Sequence, residues 1–132
     1  MMTLTVKTNS RTELVDITAD VNRLLAGSTE TSRKLCLVYV PHTTAGITLN
    51  ENADPTVPKD MLKVLNSIIP WDDDYQHLEG NSAAHIKATL VGASQTIALE
   101  NSRLLLGRWQ GLFFCEFDGP RTRTVQIHLI YF

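Results

Sequence analysis

Between Trp71 and Leu90 the chain reads WDDDYQHLEGNSAAHIKATL, with three consecutive aspartates, two histidines and an asparagine around one glycine. Groups this polar are costly to bury without partners, and a plain surface loop has no need of two imidazoles. The stretch therefore points to a binding site. His77 and His85 stand eight residues apart with Asn81 midway. That spacing places His77 in a loop and His85 in the first turn of a helix. Both imidazoles can then converge on one point beside the free N–H groups of the helix start. A third ligand and an open position would make such a pair a catalytic metal centre. His42, from a different part of the chain, is the natural third, and Asp74 and Glu51 compete with it. The alternative is a set of unrelated surface and capping residues, and an H-x7-H spacing by itself does not choose between the two.

A second polar segment, Glu116-Phe117-Asp118-Gly119-Pro120-Arg121-Thr122-Arg123, sets two carboxylates and two guanidiniums at one strand end. In strand geometry Glu116 and Asp118 share a face and suit general acid/base work or a cation. Arg121 and Arg123 alternate likewise and could grip a phosphate bidentately. The competing reading is a turn decorated with mutual surface salt bridges, which contribute little. Thr43 and Thr44 beside His42 are either strand-edge residues or hydroxyl donors to an anion, and Asn50-Glu51-Asn52 is equally open. Trp109, between Gly107 and Gly111, and Trp71 each fit a core plug or a stacking wall for a flat ring. His128 alternates with Ile127 and Leu129 and reads as structural or solvent-facing. No P-loop, GxGxxG, GxSxG or CxxC occurs, so nucleotide cradles and the common nucleophile elbows are unsupported.

These residues need a scaffold. Leu4, Val6 and Thr8 alternate with polar neighbours as in a half-buried strand, with Glu13 to Ile17 as its expected hairpin partner. Thr18 offers an N-cap to a helix whose apolar face is Val21, Leu24 and Leu25. Lys34 to Val40 is apolar almost throughout, which predicts a central strand covered on both faces. His42 then lies at a bend before the strand Ala45–Asn50. Asp54-Pro55 starts a helix carried by Val57, Met61, Leu62, Leu65, Ile68 and Ile69 and ended by Pro70. Asn81 or Ser82 caps a further helix, Ala83–Val91, with Gly92 just past its end. Strands follow around Ile97–Leu99 and Arg103–Leu106, and Gly111–Phe117 with Thr124–Phe132 reads as a last hairpin. The expected class is α+β: one domain over 1–132, a largely antiparallel sheet system with two main helices inserted in mid-chain.

The bulk properties agree. The chain has 132 residues, 43% apolar and 20% charged, enough for one globular core. A net charge of -2 and a pI near 6.0 give no electrostatic reason to expect a nucleic-acid partner. No apolar run approaches a membrane span, and MMTLTVKTNS lacks the pattern of a signal peptide. Cys36 and Cys115 sit in apolar runs and read as reduced core thiols, so a cytoplasmic protein is expected.

Taken in order, His42-Thr43-Thr44-Ala45, Asn50-Glu51, His77 with Asn81 and His85, Gly107-x-Trp109-Gln110 and Glu116-x-Asp118-Gly119-Pro120-Arg121-x-Arg123 together closely resemble the YjbQ-type family. This is a group of small proteins described as secondary thiamine-phosphate synthases. The likeness covers nearly the whole chain, and Ala45-Gly46-Ile47 reads as a small-residue variant away from the chemistry. The resemblance implies an α+β fold assembled as a homotrimer with sites near the subunit contacts. It also implies a divalent metal on His42, His77 and His85, zinc as bound, with magnesium as the alternative beside a diphosphate substrate. The activity attached to the family joins hydroxymethylpyrimidine diphosphate to a thiazole phosphate, releasing pyrophosphate. Under that reading Arg121, Arg123 and the helix start hold the leaving group, and Trp109 flanks the ring. Thr43, Thr44 and Asn81 contact the small phosphorylated substrate, while Glu116 and Asp118 orient an amine or accept protons. Two other classes stay open. One is a metal-dependent hydrolase of a small anion with Glu116 or Glu51 as base; the other is a non-catalytic metal- or ligand-binding module.

Overall fold

The computed structural model describes residues 1–28 and 34–132. In order these form β1 (Met2–Lys7), β2 (Glu13–Asp16), α1 (Thr18–Leu25), β3 (Lys34–Tyr39), β4 (Ala45–Glu51), α2 (Thr56–Ile68), α3 (Ser82–Val91), β5 (Ser94–Glu100), β6 (Arg103–Leu104), β7 (Gln110–Glu116) and β8 (Thr122–Tyr131). The fold is α+β with antiparallel sheets, as expected, and three helices.

Two sheets form, β1-β8-β3-β5-β6 and β2-β7-β4. This overturns two expected pairings. The segment Glu13–Asp16 pairs with β7 rather than β1, and β8 pairs with β1 and β3 rather than with β7. The loops that look like hairpin turns in the sequence carry the chain from one sheet to the other. A true hairpin joins β5 to β6 through Asn101 and Ser102, both at positive φ (52° and 59°), the conformation a two-residue type I′ turn requires.

Alternation explains the layers. Leu112 and Phe114 of β7 and Ile47 of β4 meet Val38 of β3 and Val125 and Ile127 of β8, while α1 adds Val21 and Leu25. Fully burying each such side chain stabilises by roughly 1.5–3 kcal/mol. The other face of β7 sends Cys115 into a second cluster with Phe117 and with Ala84 and Ala88 of α3, against which Leu62 and Leu65 of α2 pack. The stack is thus sheet, sheet, helices. Strand β3 is central but is not covered on both faces: Cys36 and Val38 are buried, Leu35 and Leu37 half-buried and Tyr39 exposed.

Local capping differs from expectation at α1. Thr18 is the first helical residue, and its N–H and hydroxyl both donate to Asp16 Oδ1, while its Oγ1 accepts the Leu112 N–H. At α2, Asp54 Oδ1 takes the Thr56 N–H and hydroxyl, which lowers the Asp54 pKa. Helix α3 starts after Asn81 and stops at Gly92 (φ 95°), as the sequence suggests. It lies close to β4 because Gly46 has no side chain: a Cβ there would sit 2.7 Å from the Gly92 carbonyl oxygen. Gly46 therefore seats the helix that bears His85, and the small-residue run has a structural part in the site.

Candidate functional site

The Glu116–Arg123 segment divides into two unlike halves. On β7, Glu116 continues the inward side of Leu112 and Phe114, and on β8 Arg123 continues that of Val125 and Ile127. The two therefore meet between the sheets at their common end. Glu116 is fully buried and Arg123 is 3% exposed. Arg123 Nε donates to Glu116 Oε1 at 2.9 Å and Nη2 to Oε2, with Nη2 also reaching Thr44 Oγ1 at 2.8 Å. Thr8 Oγ1 (2.8 Å) and the Asp118 N–H (3.0 Å) donate to the same carboxylate. Burial by itself would raise the Glu116 pKa; the hydrogen bonds from Arg123, Asp118 and Thr8 outweigh it, so the carboxyl sits below its ordinary value. Expected as a free acid/base and a phosphate grip, Glu116 and Arg123 are instead each other's partners, a closed clamp joining the sheets. Thr44 is part of the clamp, while Thr43 beside it is exposed.

Asp118 and Arg121 form the open half. Arg121 Nε donates to the Asp118 carbonyl (2.9 Å) and Nη2 to Asp118 Oδ2 (3.1 Å), yet their side chains keep 48% and 18% exposure. The backbone beneath them is fixed. Thr8 N–H donates to Arg121 O and Thr8 Oγ1 accepts the Arg121 N–H, both at 2.9 Å. Gly119 N–H donates to Arg11 O at 3.0 Å, and a side chain on Gly119 would press into the Ser10 carbonyl. Thr8 is the residue the sequence does not single out. It looks like one more β1 alternation, and only its long-range contacts reveal that it links the clamp to the Arg121 loop.

From Asp118 the site passes to α3. Asn81, the N-cap residue and 9% exposed, donates from Nδ2 to Asp118 Oδ2 at 2.9 Å. Beyond it, His77 and His85 stand edge to face, ring centroids 5.4 Å apart and planes at 82°. They border an open cleft of about 480 Å³ with Asp74, Tyr75, Gln76, Ser82 and Ile86. The loop carrying His77 is shaped by Tyr75, whose hydroxyl donates to Pro70 O at 2.6 Å. Gly80 (φ 75°) closes a turn back onto the His77 carbonyl. The Ser82 and Ala83 N–H groups enter none of the turn and cap hydrogen bonds around the helix start.

Two imidazoles on adjacent corners of a tetrahedral zinc would have centroids roughly 5 Å apart, given Zn–N bonds of about 2.0–2.1 Å. The His77–His85 pair fits that spacing. A complete three-ligand set is not gathered: among the described residues no three of His, Cys, Asp and Glu are grouped to hold a metal. His42, expected as the third ligand, accepts the Thr124 N–H on Nε2 at 3.0 Å. Burial first, and then the Arg123 charge, hold its pKa below the ordinary histidine value, the direction that favours the neutral ring this acceptor role needs.

Register places two further candidates. Ala45 pairs with Glu116, and Glu51 with Gln110. Six residues of strand rise place Glu51 about 20 Å from the clamp end. Trp109 stays with Glu51, its carbonyl accepting the Asn52 N–H, and its ring is 55% exposed beneath Arg108. Within one chain these two belong to the opposite end of the small sheet. Trp71 is half-buried against the helical cluster with the Arg11 guanidinium 4.2 Å from its ring centre, so it serves as packing.

A two-sheet α+β domain with a histidine pair at the start of its last helix, and an Asp–Gly–Pro–Arg turn hydrogen-bonded to that start, defines a recognisable class. The family model described as UPF0047 protein YjbQ-like matches residues 2–131, and the chain belongs to that family. It is 53% identical to the UPF0047 protein YugU of Bacillus subtilis, over 98% of both chains. It is 52% identical to a UPF0047 protein of Methanocaldococcus jannaschii over 95% of this chain and 90% of that one. Among solved structures, an uncharacterised YjbQ/UPF0047 protein of Clostridium acetobutylicum superimposes with a TM-score of 0.94 at 48% identity, covering 98% of this chain and 100% of the other. A conserved hypothetical protein of Thermus thermophilus gives 0.91 at 43% identity, covering 98% and 100%. No helix among the described residues is long and apolar enough to cross a membrane.

Proposed function

We propose that this protein is a transferase of the secondary thiamine-phosphate synthase type, working in the cleft at the start of α3. The observation that carries the reading is the continuous line from the exposed Arg121 through Asp118 and Asn81 to the helix that holds His85 beside His77. In the reaction, the bond between a pyrimidine methylene carbon and its diphosphate oxygen breaks. The thiazole nitrogen bonds to that carbon, and the electron pair leaves on pyrophosphate. Arg121 binds the diphosphate, with Asp118 fixing the guanidinium while one edge of it stays open to ligand. The N–H groups at the start of α3 add partial positive charge on the same side. A divalent cation on His77 and His85 would supply further neutralisation of the leaving group. Glu116 and Arg123 act by holding the loop that presents Arg121.

Trimeric assembly belongs to the same proposal. It is supported by the partly exposed Leu35, Leu37, Tyr39 and Ile130 on one face of the larger sheet; assembly is also the route by which Glu51 and Trp109 of another copy would reach a cleft they do not reach in their own chain. The test is product formation from hydroxymethylpyrimidine diphosphate with and without the thiazole phosphate, by parent and Arg121→Ala. The proposal expects thiamine phosphate only with both substrates and a rate about 10²–10³ lower in the variant, typical of removing one group that stabilises developing charge. Pyrophosphate release from the pyrimidine substrate in water alone, at the same rate, would replace the transferase by a hydrolase.

A further inference from the structure

Asn81 Oδ1 is the one fully buried side-chain oxygen or nitrogen without a hydrogen-bond partner among the described residues. The amide cannot be turned over to remove the problem, because Nδ2 faces the Asp118 carboxylate at 2.9 Å and the oxygen in its place would meet like charge. Nor does Asn81 do what an N-cap residue ordinarily does: its side chain takes no backbone N–H of the first turn. The acceptor is spared, and a buried acceptor left unmatched is costly, so it calls for a donor.

His85 is the side chain placed to supply one. It lies in the first turn of α3, the helix that starts directly after the N-cap Asn81. Its backbone N–H already bonds the Asn81 carbonyl. It is half-buried whereas His77 is exposed, so a buried oxygen is met from its side of the pair. We propose that Asn81 is a positioning residue whose Oδ1 takes the ring N–H of His85 in the working state of the site. The bond selects one tautomer and turns the other ring nitrogen towards the cleft. Histidines that bind a cation regularly anchor their second nitrogen in this way, and losing the anchor weakens binding about 10–100-fold. Asp118 then has a double task, because the same Oδ2 that receives Arg121 also fixes the Asn81 amide. An anion drawn to Arg121 and the orientation of His85 are thereby coupled through two side chains.

The cation part rests on the function proposed above; the hydrogen bond does not, and the experiment separates them. Nitrogen-15 spectra of the metal-free parent, Asn81→Ala and Asn81→Gln would be recorded at a pH where the histidines are neutral, with zinc affinity measured by calorimetry and the melting temperature as a folding check. The inference expects a single tautomer for His85 in the parent and a tautomer mixture in Asn81→Ala. Asn81→Gln, which keeps an amide acceptor without adding charge beside Asp118, restores the single form. Zinc affinity falls about 10–100-fold in Asn81→Ala and recovers in Asn81→Gln. A His85 tautomer unchanged in a folded Asn81→Ala would overturn the inference and leave a buried water as the missing donor. A parent that binds no zinc but shows the tautomer shift would sink the metal reading and keep this one.

Discussion

Glu116 with Arg123 and Asp118 with Arg121 are two acid–arginine pairs drawn from one run of eight residues, and they have opposite fates. The first is closed off between the sheets, at 0% and 3% side-chain exposure, with Thr8 and Thr44 on its remaining edges. The second stands at 18% and 48% exposure beside the histidine cleft. Residue type is the same in both. What differs is which neighbours fill the other hydrogen-bonding positions. A guanidinium held by a carboxylate and a threonine has little left for a ligand, whereas one held along a single edge presents the rest to solvent. The buried pair holds the turn and the exposed pair is the part free to act.

The largest way to break this contrast is Glu116→Ala. It leaves Arg123 buried without its counter-charge, and unfolding free energy should fall by about 3–5 kcal/mol in denaturant titration. The pH dependence has a definite sign. The folded-state Glu116 pKa is depressed, so its stabilisation is present above the unfolded carboxylate value and lost as pH falls through the folded one. The parent melting temperature should therefore drop on acidification below about pH 4, with a flatter curve for Glu116→Gln over the same window. A loss near zero for Glu116→Ala would show that the clamp does not hold the fold.

Thr8→Val comes next. It keeps the volume but removes the hydroxyl shared by Glu116 and the Arg121 N–H. The expected loss is roughly 1–3 kcal/mol for two buried groups left short of a partner. Arg121→Ala should be smallest in stability, under about 1 kcal/mol, since exposed ion pairs contribute little. The same change should weaken pyrophosphate binding about tenfold or more, a ligand bond to a charged group being worth roughly 1.5–3 kcal/mol. If Arg121→Ala were as destabilising as Glu116→Ala, the division between holding and acting would be wrong.

The comparison also separates what the sequence could and could not disclose. Alternation and helical spacing located the eleven elements closely, because burial of one face writes itself into local pattern. Pairing was not legible. The stretches before Glu13 and after Phe117 both read as hairpin turns, yet each crosses between sheets, and the contacts that decide this join residues more than a hundred positions apart, such as Thr8 with Glu116 and Arg121. The histidine pair was legible because both members and Asn81 belong to one helix start. The surroundings of His42 were not legible for the converse reason: its neighbour Thr124 lies 82 residues away, and no local signal announces that its Nε2 accepts the Thr124 N–H. The place of Glu51 was hidden in the same way, since closeness to the His42 bend in sequence becomes distance along β4.

On the proposed function His77 and His85 form the cation-binding corner of the site, while His42 Nε2 accepts the Thr124 N–H. The most direct measurement is a zinc titration, followed by calorimetry, of metal-free parent, His77→Ala, His85→Ala and His42→Ala proteins. Roughly one zinc per chain should bind to the parent and to His42→Ala, and binding should be lost in both other variants, as expected when a ligand is removed. Loss in His42→Ala with retention in His77→Ala would contradict it.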